Sequence, residues 1–156
     1  MYMDIIQLPS GPEVLLLRTD FPTVDPLTVF KYWTGPDLLV GWWPQQAEIE
    51  PEVGGSYRLS WPQMGWRLRG RYTIFEPGRK LAFTWQWDHT PESGEKVVEL
   101  RFEPLEITGS GTQLTLSHGP YSDSGEDQKL RIDDHLAGWL HFLPRLQQLL
   151  IDYPTQ

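Results

Sequence analysis

Tyr57-Arg58-Leu59-Ser60-Trp61, Trp66-Arg67-Leu68-Arg69-Gly70-Arg71-Tyr72 and Leu81-Ala82-Phe83-Thr84-Trp85-Gln86-Trp87 stand close together in the chain and share one period. In each, the apolar register recurs at every second position with polar residues between, and Gly70 occupies that apolar register. Successive side chains of a strand point to opposite faces, so a period of two describes strands with one buried and one wet face. Ile74 continues the apolar register after Tyr72. The same alternation returns in Val98, Leu100 and Phe102 and again in Leu114, Leu116 and His118. Short connections bearing Gly or Pro join these runs: Pro62 to Gly65, Glu76-Pro77-Gly78, Thr90 to Gly94 and Gly109 to Gly111. Such a series is an antiparallel meander.

On the N-terminal side, Glu13 to Phe21 is a further strand, carrying the run Val14 to Leu17. Asp25-Pro26 opens a short helix, with Asp25 able to cap it and Pro26 suited to its first position. A second short helix is expected from Pro36 to Trp43, stopped by Pro44. On the C-terminal side, Gln128 to Ile151 places Ile132, Leu136, Trp139, Leu143, Leu146 and Leu150 on one helical stripe. Asp127 is the expected cap, and Pro144 is expected to kink the helix near Leu140. The stripe can be buried only by laying this helix across the apolar face of the sheet. The expected class is α+β: a curved antiparallel sheet wrapped around a long C-terminal helix, with two short helices after the first strand. No linker or repeat divides residues 1–156, so a single domain is expected.

Composition narrows the functional classes. The chain carries 21 acidic and 13 basic residues, a net charge of −8, and no cysteine. Disulfides and a thiolate nucleophile are thereby excluded. The acidic excess and the lack of a basic stripe argue against a nucleic-acid partner, and equally against an anionic membrane surface. No apolar run reaches the 18 or so residues of a membrane span, and Met1 to Pro9 lacks signal-peptide character, so the cytoplasm is the expected compartment. Eight tryptophans with six tyrosines and six phenylalanines are the unusual feature, because tryptophan is bulky and places demands on the core that holds it.

Taken in order, several segments resemble the START-like (SRPBCC, birch-pollen-allergen-like) superfamily, and within it the bacterial homologues of the C-terminal domain of the heat-shock protein 90 ATPase activator. They are Val29 to Thr34 with Pro36 to Leu39, Trp42-Trp43-Pro44, Glu50 to Tyr57, Gly70 to Pro77, Lys80 to Trp85, Gly111 to Leu116, and His135 to Leu149. The resemblance implies a helix-grip fold with a space between helix and sheet. Three functions follow from it as expectations: binding of a small hydrophobic or aromatic molecule, a cyclase- or hydrolase-type enzyme of polyketide chemistry using the same cavity, or a co-chaperone acting on a heat-shock protein 90 chaperone. No cofactor is expected.

Candidate cavity-lining residues are the rings assigned to the inner register: Tyr57, Trp61, Trp66, Tyr72, Phe83, Trp85, Trp87 and Phe102, with Trp139 facing them from the helix and Trp42 and Trp43 from the short helices. They either line a pocket for a flat ligand or fill the core. His118 shares the inner register, and His135 precedes Trp139 by one helical turn; each is a ligand anchor or acid–base group, or else a hydrogen-bonded core residue. His135 and His141 are six apart and cannot form a metal pair at i, i+4, so no metal is expected. Ser117 and His118 point to opposite faces, Gly54-Gly55 lacks the lysine of a phosphate loop, and Asp133-Asp134 reads as a solvated helix face. No catalytic constellation emerges.

Overall fold

The computed structural model describes residues 5–90, 94–105 and 109–151. Residues 91–93, part of the expected Thr90 to Gly94 turn, lie outside them. The elements are β1 (Ile6–Gln7), β2 (Leu15–Phe21), α1 (Pro26–Thr34), α2 (Pro36–Leu39), β3 (Gln46–Ile49), β4 (Ser56–Trp61), β5 (Trp66–Glu76), β6 (Lys80–Trp87), β7 (Lys96–Leu105), β8 (Gly111–Gly119), α3 (Gly125–Lys129), a π-helical segment (Leu130–Leu136) and α4 (Ala137–Ile151). One sheet holds the strands in the order β1-β2-β8-β7-β6-β5-β4-β3. The helix-grip arrangement is thus present: a meander whose first long strand returns beside the last, gripping the C-terminal helix.

Period two sets the core. Leu59, Leu68, Leu81, Val98, Leu100, Leu114 and Leu116 are buried on the sheet, as are Trp139, Leu143, Leu146 and Leu150 on the helix. Phe30 of α1 closes the narrow end, its ring 5.3 Å from both Phe75 and Phe102. Asp25 caps α1 as expected, its carboxylate accepting from the Thr28 backbone N–H.

Four local expectations are corrected. A bulge between Tyr72 and Ile74 shifts the register of β5, so Phe75, not Ile74, turns toward the core. The second helix stops at Leu39, and β3 and the two-residue edge strand β1, both unforeseen, extend the sheet. The helix cap is Ser124, which accepts from the Asp127 N–H, while Asp127 turns inward. The helical irregularity lies over Leu130–Leu136, and α4 runs through Pro144 to Ile151. Buried positions step by five from Leu130 to His135 before resuming a step of four to Trp139. The inserted residue rotates Ile132 out, 40% exposed, and brings His135 in.

Gly70 is demanded by close approach. A Cβ there would lie 2.0 Å from the Thr84 carbonyl oxygen, the acceptor of the Tyr57 hydroxyl. Gly70→Ala is expected to lower unfolding stability by about 1–3 kcal/mol in urea titration, the range for overpacking a filled core. Gly138 in α4 is the opposite case, since a Cβ there meets no atom within 4 Å. Gly138→Ala is expected to leave stability unchanged or raise it by up to about 1 kcal/mol.

Candidate functional site

All eight tryptophans meet at the wide end of the grip. Trp43 stacks on Trp42 and Trp85 at 5.6 and 5.8 Å and contacts Trp139 at 5.1 Å. Trp61 and Trp66 pair across β4 and β5 at the open rim, and Trp87 packs against both. Trp33 of α1, which no sequence argument placed here, lies 4.8 Å from Trp42.

Behind these rings lies a buried polar network. Trp139 Nε1 donates to His118 Nδ1 at 3.0 Å, and Trp87 Nε1 donates to His135 Nε2 at 3.1 Å. Indole N–H only donates, so each accepting imidazole nitrogen presents its lone pair, and the proton of the neutral ring sits on the other nitrogen. His135 therefore donates from Nδ1 to the Tyr121 hydroxyl at 2.6 Å. His118 carries its proton on Nε2, a buried group without a hydrogen-bond partner among the described residues. The two imidazoles stack at 4.4 Å with an interplanar angle of 10°. Lys96, in the inner register of β7, reaches Asp127 at 2.9 Å and lies over the Tyr121 ring at 5.0 Å.

Electrostatics follow from this burial. Desolvation, reinforced by His135 and Lys96, holds the His118 pKa well below 6.5. Desolvation and then Lys96 lower that of His135 to about 3, with Asp127 opposing. Burial pushes the Asp127 carboxyl up, but hydrogen bonds from Lys96 and Ser122 outweigh it and hold the group below the usual carboxylate range. Burial raises Tyr121, as it does Tyr57 and Tyr72. A general base needs a free lone pair, and in both histidines an indole N–H occupies it. The arrangement holds two neutral imidazoles, of which His118 keeps an unshared donor, Nε2–H.

Two spaces adjoin the cluster. The inner one, about 60 Å³, is lined by Trp43, Trp61, Trp66, Trp85, Trp87, Asp134, His135, Gly138, Trp139 and Phe142. It has room for a few waters and falls far short of the roughly 300–1,000 Å³ of a small-molecule site. The grip is filled at its centre. The outer space is a groove of about 470 Å³ between the β4–β5 rim and the helix. Its walls are Trp61, Met64, Trp66, Trp87, His89 and Phe142, and its helical side is Asp133, Asp134, Ala137, Gly138 and His141.

The candidate residues from the sequence thus divide. Trp61, Trp66 and Trp87 border both spaces; Trp43, Trp85, Trp139 and His135 border the inner one. Trp42, Tyr57, Tyr72, Phe83, Phe102 and His118 are buried and border neither. Trp66 keeps its inner register but is 37% exposed, because β5 begins at the rim. Sequence reasoning missed Lys96, Tyr121, Asp127, Met64, Gly138 and Phe142. Lys96 alone had a visible signal, an ionisable residue two before Val98 in the buried register.

The sequence profile of a family described as Activator of Hsp90 ATPase homolog 1-like protein matches residues 23–151. No protein of curated function matches the chain. A Rhodobacter sphaeroides protein of known structure is 23% identical, with 97% of this chain and 100% of that one covered and a TM-score of 0.75. A Mesorhizobium loti protein is 22% identical, with coverage of 91% and 99% and a TM-score of 0.77. An HSP90 activator from Plasmodium falciparum is 18% identical, with coverage of 92% and 99% and a TM-score of 0.68. At these identities the structural likenesses speak for the fold.

The neutral histidines make stability depend on pH. An unfolded histidine takes up a proton near pH 6.5, whereas these two resist it when folded. Their contribution is complete above that value and is lost as pH falls below it, at up to about 1.4 kcal/mol per pH unit for each ring. Urea unfolding at pH 7.0, 6.0 and 5.0 is expected to show this decline, and His118→Asn to reduce its slope by about half. A flat profile over that interval would contradict the assignment.

Proposed function

The chain belongs to the activator of Hsp90 ATPase homolog 1-like family, within the START-like superfamily, and from that premise we propose that it binds a small hydrophobic or aromatic molecule in the groove at the wide end of the grip. The protein acts as one START-like domain, in the cytoplasm, and its ligand lies in the mouth with its inner edge against the tryptophan cluster. The observation that carries this reading is the groove itself. Its volume of about 470 Å³ falls within the usual range for a small-molecule site, and indole faces wall it. Among the described residues, no helix is long and apolar enough to cross a membrane.

Gly138 supports the same reading. Glycine inside a helix costs about 1 kcal/mol relative to alanine, and packing does not require it here, since a Cβ would meet no atom within 4 Å. The unfilled space above Gly138 forms part of the groove and of the inner cavity. A ligand edge resting against the helix backbone accounts for a residue that stability alone disfavours. The rigid plug behind it keeps the walls in place, which limits the ordering cost of binding.

The reading is tested by titrating intrinsic tryptophan fluorescence with flat apolar compounds such as 2-naphthol and indole. Saturable quenching is expected. Gly138→Leu, whose side chain projects into the groove, is expected to weaken binding at least about tenfold, a loss of roughly 1.4 kcal/mol. Its thermal stability should equal or exceed that of the parent. Ligand affinity indifferent to Gly138→Leu would remove the groove from consideration.

A further inference from the structure

We propose that the groove selects a small organic cation, a quaternary or protonated amine whose charged head is held by the tryptophan walls and faces Asp134. The inference rests on the ligand-binding reading above and adds the sign of the ligand's charge.

Ring geometry is the first argument. Trp87 stands 5.6 Å from Trp61 at 50° and 6.1 Å from Trp66 at 65°, and Trp61 stands 6.3 Å from Phe142 at 45°. Parallel rings would make a slot for a flat neutral arene. These rings pack on one another, with His89 against Trp66 and Trp87, and their mutual tilt lines the groove with a bent aromatic surface on which a compact head can rest. The face of an indole is its negative region and attracts a cation, most strongly where water is partly excluded.

Charge is the second argument. Asp133 and Asp134 line the groove, and Asp134 also lines the inner cavity behind it. Neither a lysine nor an arginine lines either space. Among the described residues, neither carboxylate takes part in an ion pair or hydrogen bond. In the core Lys96 neutralises Asp127, whereas Asp133 and Asp134 are exposed at the groove. An uncharged ligand covering the groove would strip water from unpaired carboxylates without replacing it, and an anion would be repelled. A cation answers both the rings and the acids. His89 and His141 are the other ionisable residues lining the groove.

The test compares benzyltrimethylammonium with neopentylbenzene, its uncharged isostere in which carbon replaces nitrogen, by tryptophan fluorescence and by NMR of the indole N–H groups at pH 8.0 and low salt. The cation is expected to bind about tenfold tighter or better, and to weaken as NaCl is raised. Asp134→Asn is expected to cut cation affinity about tenfold and to leave the isostere unaffected, with unchanged thermal unfolding. Should that variant fail to fold, the comparison of the two probes on the parent protein still decides. Equal or tighter binding of the neutral isostere overturns the cation inference and leaves the ligand-binding reading standing. Binding of neither probe, together with no response to 2-naphthol or indole, overturns both.

Discussion

A buried indole N–H is costly to leave without an acceptor, and the wide end of this fold is arranged largely around that cost. Trp42 donates to the Tyr32 carbonyl, tying the segment after α2 to α1, and Trp61 donates to the Trp43 carbonyl, tying β4 to that segment. Trp139 and Trp87 donate instead to ring nitrogens of His118 and His135. The cost of leaving such a donor unmet in the core is about 1–3 kcal/mol, so each pairing constrains its neighbours. Among the described residues, the N–H groups of Trp33 and Trp85 have no hydrogen-bond partner.

The helix conforms to these pairings. A regular α-helix would present Ile132 to the sheet, whereas the π-helical turn brings His135 to the Trp87 N–H and the Tyr121 hydroxyl. One turn earlier, Asp127 meets Lys96, and the pair anchors the start of the helix to β7. Removing one member of such a pair is typically far more damaging than replacing both, because the survivor is left charged in the core. Rigidity at the back of the site and openness at its front are therefore linked. The rings that fill the grip fix the walls of the groove, and the same helical irregularity sets Asp134 at its inner edge.

Much of this was legible in the residues. Period two from Tyr57 to Trp87 announced the meander, and the stripe from Leu136 to Leu150 announced the covering helix. His118 was placed inside from its register alone, and it is fully buried. What escaped were events that break a period. The bulge after Tyr72 and the π-helical turn after Lys129 each insert one residue, and local pattern has no term for a residue that is skipped. Asp127 reads as a cap by its position before an apolar stripe, yet Ser124 caps and Asp127 is taken by Lys96, a partner 31 residues away.

By itself the sequence determined the class of fold, the succession of its main strands and helices and which face of each strand is apolar, because these depend on periodicity and turn chemistry within short windows, while the family showed in the order of its motifs. It also determined that aromatic rings would crowd the inner face. Whether those rings line a cavity or fill it was decided only in three dimensions. That outcome depends on how far each ring leans across the sheet and on which acceptor its N–H reaches, both set by residues distant in the chain. The tertiary structure closed the grip to about 60 Å³ at its centre and left about 470 Å³ open at its mouth, beside an unfilled glycine and two unpaired carboxylates.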